Sequence, residues 1–269
     1  MSPAHYRRCF LGILKREALR FLQQRERFVA ALVRPLVWLL IFAAGFRQVL
    51  GVSITPPYET YILYEVYITP GLIGMVQLFN GMQSSLSMVY DREMGSMKTL
   101  LVSPLPRWFL LVSKLMAGTS VSVLQVYTFL AVAWFFDIDA PWSGYLVLLP
   151  VLFLTGMMMG ALGLLLSSAI RQLENFAGVM NFVIFPMFFL STALYPLWRL
   201  QETSPFLARL ANWNPFTHAV ESIRFAMAGK VNPESLIITL SALVVFGALA
   251  IVGYNPARGT LARKTGGPG

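Results

Sequence analysis

Asp91 and Glu93 flank Arg92 just after a run of amide and hydroxyl side chains, Gln77, Asn80, Gln83, Ser84, Ser85 and Ser87, in a sequence otherwise dominated by apolar residues. Two nearby carboxylates can act as a general acid and base when their surroundings push their proton affinities apart. Here an arginine separates them at the end of an apolar run, which points instead to the solvated start of a loop. The amides and hydroxyls raise a different question. Gln77, Asn80, Ser84 and Ser87 recur three to four apart and share one face of a helix. An amide without a hydrogen-bond partner in an apolar medium costs on the order of several kcal/mol, so that face must meet another helix, water or the polar part of a cargo. Residues for other chemistries are missing. Cys9 is the single cysteine, which excludes an intrachain disulfide and a cysteine metal cluster. The two histidines, His5 and His218, are far apart in sequence, and His218 has no second ligand nearby. The phosphate loop G-x-x-x-x-G-K-[ST], the nucleophile elbow G-x-S-x-G and the zinc motif H-E-x-x-H do not occur. No catalytic, cofactor-binding or metal-ligating residues are expected in this chain.

The polar face needs a scaffold, and composition says which kind. The chain has 269 residues, 57% hydrophobic and only 12% charged. Soluble domains carry about 25% charged residues, so a bilayer is the expected surrounding. A helical span needs about 20 apolar residues, and six segments qualify: 28–50, 68–89, 115–136, 145–168, 176–197 and 236–254. Backbone groups in lipid must bond within their own segment, so these are helices. The expected fold class is all-α, a single polytopic transmembrane domain over 1–269 with six transmembrane helices. With the N-terminus cytoplasmic, sixteen basic residues fall inside and five outside, which puts both ends in the cytoplasm. The net charge of +9 then reflects topology and anionic lipid rather than nucleic acid. Arg34 and Lys114 are read as lying near cytoplasmic helix ends. On the fifth span Phe185 and Phe189 either meet cargo or pack against other helices. Gly156, Gly160 and Gly163 give the fourth span a small face that lets another backbone approach.

Three stretches do not span. Residues 5–27 carry Tyr6, Cys9, Phe10, Ile13, Leu14 and Phe21 on one side, consistent with an amphipathic helix lying on the cytoplasmic surface or with a plain basic topology signal. Residues 198–235 form a long extracytoplasmic connection broken by Pro205 and Pro215. Within it Asn214 suits an N-cap and Pro215 the first helical position. Val220, Ile223 and Met227 mark one face and Glu221 and Arg224 another. This short helix either dips into the outer leaflet and returns or lies flat on it. The third stretch is 91–107, with Gly95 permitting a sharp turn and Pro104 and Pro106 ending any helix.

Two motifs then carry a resemblance to a known family. Asp91, Arg92, Glu93 and Gly95, an apolar stretch with Leu100 and Leu101, then Pro104, Arg107 and Lys114 resemble the segment after the second span of type-2 ABC transporter permeases. "NPFTHAVESIR" is similar to the start of that family's last outer helix. The resemblance implies that 91–107 is a coupling segment seated in a groove of a separate ATPase. It further implies a multi-pass permease subunit of an exporter in the bacterial cytoplasmic membrane. Two copies of the chain would pair and recruit two ATPase subunits, which bind ATP and Mg; this chain would bind neither. Its cargo would be lipid-like, drug-like, or a glycolipid or saccharide. Gln77, Asn80, Ser84 and Ser87, with Phe185 and Phe189, would line the route. The competing readings are a membrane scaffold or assembly factor, and a secondary carrier. The last is disfavoured because no carboxylate sits in the middle of a span.

Overall fold

The computed structural model describes residues 3–23, 25–46, 56–93, 106–170 and 172–254. They form ten α-helices: α1 (Pro3–Gln23), α2 (Arg25–Phe46), α3 (Tyr64–Glu93), α4 (Arg107–Ala133), α5 (Trp142–Ala169), α6 (Leu173–Phe189), α7 (Leu197–Thr203), α8 (Pro205–Trp213), α9 (Pro215–Met227) and α10 (Pro233–Gly253). A 3₁₀ turn, Trp134–Phe136, extends α4.

Among the described residues, three stretches are long and apolar enough to cross a membrane: Trp108–Phe136, Trp142–Ala169 and Pro233–Gly253, with mean hydropathies of 1.6, 2.1 and 2.6. The expected spans 115–136, 145–168 and 236–254 fall on them. The expected span 68–89 falls on α3, which at 30 residues is long enough but is diluted by its amides and serines. The expected span 28–50 falls on α2 as far as Phe46, with Leu32–Ile41 its apolar stretch among the described residues; 47–50 lie outside them.

The expected span 176–197 overlaps α6, but α6 stops at Phe189. The physical reason is competition for backbone hydrogen bonds: residues 190–195 leave the helix because their carbonyls find partners elsewhere. Tyr67 donates to the Thr192 carbonyl at 3.1 Å and Tyr64 to that of Leu194 at 2.8 Å. Asn214 donates to the carbonyls of Met187 and Leu190, each at 2.7 Å. Irregular backbone at this depth is tolerated only where protein covers it, and here Ser191, Thr192, Ala193 and Leu194 are all buried. Gly71 makes the approach possible: a Cβ there would sit 2.5 Å from the Ala193 carbonyl oxygen.

Helix α3 is the axis of the molecule. It packs against α2, α4, α5, α6 and α9, and Tyr67, Ile68, Leu72, Ile73, Leu78 and Met82 are fully buried along it. By contrast α10 contacts chiefly α5 and α9 and turns Ile237, Leu240, Val244, Val245, Leu249 and Val252 outward. That apolar outer face suits hydrocarbon. One end of the bundle carries α1, through a Tyr6–Phe109 ring contact at 5.0 Å, together with the C-terminus of α3 and the N-terminus of α4. The other end is capped by α7–α9.

Helices α3 and α5 cross backbone to backbone at their glycines. A Cβ on Gly81 would fall 2.8 Å from the Gly160 nitrogen, and one on Gly163 would fall 2.7 Å from the Gly81 carbonyl oxygen. Gly156 faces Thr119 of α4, whereas a Cβ on Gly160 would meet only the tip of Leu115 at 2.8 Å. The small face of α5 thus packs within this chain on both α3 and α4. Backbone cannot yield as a leucine tip can. Gly81→Ala is therefore expected to destabilise the bundle by about 1–3 kcal/mol, the usual cost of overpacking, and Gly160→Ala by less. Thermal unfolding of the two variants in detergent measures the order; equal midpoints would refute it.

Candidate functional site

The polar face of α3 makes most of its contacts at the middle of the bundle. Gln77, only 1% exposed, donates to the Leu152 carbonyl at 2.8 Å and accepts from the Thr155 hydroxyl at 2.6 Å. Thr155 is the fourteenth of the 28 residues of α5. One turn on, Asn80 donates to Gln125 Oε1 on α4 at 2.7 Å. Gln125 is itself near the middle of α4 and buried. Towards the α1 end, Lys114 Nζ donates to the Ser87 hydroxyl at 2.7 Å, and Ser87 donates to the Ser84 carbonyl at 2.8 Å. Gln77, Asn80, Ser84 and Ser87 therefore face α4 and α5 and form one polar seam. Asn80, Ser84 and Ser87 keep partial exposure.

A small cavity of about 10 Å³ lies in the seam, bordered by Gln77, Ser84, Ser85, Lys114, Thr119 and Ser122. The Ser122 hydroxyl is buried there with no protein partner. A polar cavity of this size holds about one water, which would satisfy Ser122.

Arg34 joins the same level from α2. Its guanidinium stacks 3.8 Å above the Phe79 ring, and Phe79 lies between Gln77 and Asn80. The expected position near a helix end is corrected: Arg34 is the tenth residue of α2 and reaches the middle of α3. The physical cause is that α2 already starts at Arg25 and runs alongside α3, so nine residues separate Arg34 from the helix start. Phe185 and Phe189 lie elsewhere. They stack on each other with ring centroids 6.2 Å apart and stay partly exposed, while Phe188 turns inward onto Phe216 at 6.1 Å.

A second polar cluster fills the capped end. Helix α9 starts on Asn214, which caps it by accepting from the Phe216 amide at 3.0 Å, as its sequence predicts. Val220, Ile223 and Met227 are buried, as are ten of its thirteen residues. It neither floats on the surface nor crosses the bundle: Phe216 and Val220 touch α3 at Gly74, and Met227 reaches Gly144 at the start of α5. The helix thus climbs from within the bundle to its capped end. Arg224 is 1% exposed. It pairs with Glu221, donates to the Thr192 carbonyl at 2.8 Å, and stacks 4.1 Å from the Tyr67 ring. Arg224, Glu221, His218 and Trp198 border an open pocket of about 300 Å³. Lys230, after α9, donates to Glu59 at 2.7 Å, and that hydrogen bond and charge hold the Glu59 carboxyl below the usual carboxylate range. Sequence reasoning found the Glu221–Arg224 spacing but not the burial of Arg224, because Tyr67 and Thr192 are remote in sequence.

The expected coupling segment is split. Asp91, Arg92 and Glu93 form the last turn of α3 and Arg107 the first of α4. Gly95, Leu100, Leu101 and Pro104 lie outside the described residues. Among the described residues no group of three His, Cys, Asp or Glu could hold a metal ion.

A buried polar seam within a bundle of apolar helices, beside a capped end, suits a protein that passes something through a membrane, and known proteins of this kind are similar in sequence. The chain is 28% identical over 220 residues to ycf38 of Porphyra purpurea, named as a transport permease, covering 80% of this chain and 72% of that one. It is 31% identical over 166 residues to YbhR of Escherichia coli (strain K12), named as a multidrug ABC transporter permease, covering 60% of this chain and 43% of that one. It is 22% identical over 212 residues to Nodulation protein J of Rhizobium leguminosarum bv. viciae, covering 74% of each. Residues 8–228 match the family described as ABC-2 type transporter, and the chain belongs to that family, as a membrane permease subunit of an ABC transporter.

Proposed function

We propose that this chain is an exporter permease driven by ATP hydrolysis in two copies of a separate ATPase. The observation that carries this reading is the continuity of α3. One helix bears the polar seam at mid-length and runs directly into Asp91, Arg92 and Glu93 at the α1 end. A push delivered by an ATPase at 91–107 would reach the seam through a single rigid element. In this reading α2, α3, α4, α5, α6 and α10 are the six spans. Helix α1 lies on the cytoplasmic face, both termini are cytoplasmic, and α7–α9 close the extracytoplasmic end as a re-entrant cap. Two chains pair in the bacterial inner membrane, and lipid surrounds the apolar face of α10. The route is lined by Gln77, Asn80, Ser84 and Ser87 along the seam, and Phe185 and Phe189, apart from the seam, add exposed apolar surface on α6. The seam combines amides with an apolar surround, which suits a lipid-like, drug-like or glycolipid cargo. ATP and Mg bind the partner, since the phosphate loop is missing from this sequence.

The test is reconstitution. The purified chain alone is expected to show no ATP turnover, and to retain a co-expressed ABC ATPase through mild-detergent purification with measurable turnover. Robust hydrolysis by the contaminant-free single chain, or failure to retain any ABC ATPase encoded in the same genome, would refute the reading.

A further inference from the structure

Among the described residues, Arg34 is a cation without a counter-ion at the middle of the bundle. Three observations establish its level. Phe79, which its guanidinium covers at 3.8 Å, is bracketed by Gln77 and Asn80. Those two bond Thr155 and Gln125. Thr155 and Gln125 in turn lie near the centres of stretches long and apolar enough to cross a membrane.

Among the described residues, none that bears a carboxylate is placed at that level. The sequence has twelve acidic residues. In α2, α3, α4, α5, α6 and α10 they occur only in the first or last turn: Glu26, Glu65, Asp91, Glu93, Glu174 and Glu234. Along α2, Glu26 is ~12 Å from Arg34, and along α3, Asp91 is ~18 Å from Phe79. The remaining acids belong to α1, the connections and the cap, where Glu221 and Glu59 already pair with Arg224 and Lys230. The Phe79 ring offers its negative face, yet an aromatic face is not a hydrogen-bond acceptor set, and the guanidinium fork has five N–H donors to satisfy.

Arginine at this depth is expensive, and long cationic side chains normally extend to the nearest water. Arg34 instead lies inward against Phe79 of α3, partly exposed. The planar fork matches phosphate and carboxylate oxygens in pairs. We infer that Arg34 is a binding residue for the anionic group of an amphipathic cargo, a phosphate or carboxylate attached to an apolar chain, which supplies at mid-depth the counter-ion missing among the described residues. The inference rests on the permease reading for its role in transport, and on the geometry alone for the binding. It narrows the cargo from amphipaths in general to anionic ones.

The experiment uses the full chain in phosphatidylcholine nanodiscs, with radiolabelled dodecyl phosphate as probe and empty nanodiscs subtracted. Wild type is expected to bind the probe saturably. Arg34→Gln should weaken binding by about tenfold or more, the loss of a charge-assisted pair, and Arg34→Lys, which keeps the charge and controls for folding, should lie between the two. Dodecyltrimethylammonium and inorganic phosphate should not compete. No saturable binding by wild type, or equal binding by Arg34→Gln, overturns the inference. Competition by inorganic phosphate at matched concentration also overturns it, by assigning the site to a free anion. The measurement needs no ATPase. Binding without ATPase recruitment would keep the anion site and refute the permease reading, and recruitment without binding would do the reverse.

Discussion

Arg224→Met is expected to be the most damaging single substitution in the capped end, lowering stability by about 3–5 kcal/mol, the range for removing one partner of a buried ion pair. The guanidinium holds three elements at once. It pairs with Glu221 on its own helix, donates to the Thr192 carbonyl in the 190–195 turn, and covers the Tyr67 ring of α3. Methionine fills similar volume but leaves Glu221 without its cation and the Thr192 carbonyl with only Tyr67 as donor. Arg224→Lys should rescue little, because a single ammonium cannot reproduce the planar fork that both donates and stacks. Glu221→Gln should cost less than either, since Glu221 keeps 20% side-chain exposure and water can replace its partner. The check is thermal unfolding in nanodiscs, with protease sensitivity of the 190–230 region as the local readout. Wild-type midpoint and protection in Arg224→Met would show that the cap does not depend on this residue.

Glu93→Ala and Gly95→Pro are expected to abolish coupling while leaving insertion intact. Both should reduce ATPase-stimulated transport by about tenfold or more, as truncation of a docking contact does, at wild-type abundance in the membrane. Glu93 closes α3, so a charge lost there is lost where the helix meets the proposed partner. At Gly95 the sequence leads us to expect a sharp turn away from the span, which glycine tolerates and proline does not. Cross-linking from Leu101 to a co-expressed ATPase reports docking independently of cargo. Normal transport and cross-linking by both variants would remove 91–107 from the coupling role.

The helical character of the chain and three stretches long and apolar enough to cross a membrane were legible from sequence because burial in lipid demands uninterrupted apolar runs, as in 145–168 and 236–254. The start of α9 was legible for a local reason: Asn214 and Pro215 determine the cap and the first turn without help from distant residues. The polar face of α3 was legible too, since Gln77, Asn80, Ser84 and Ser87 follow the helical period. What each of them touches was not, because partners such as Thr155 and Gln125 come from α5 and α4 and depend on helix rotation. The end of α6 at Phe189 was hidden in an apolar run, since only residues remote in sequence and folded against it, Tyr64, Tyr67, Asn214 and Arg224, offer the carbonyls there and just beyond a better bond than the next helical turn. The level of Arg34 and the burial of Arg224 have the same origin. A residue's own sequence neighbours decide whether it sits on a helix, but the depth and company of a charge are decided by which helices pack against it.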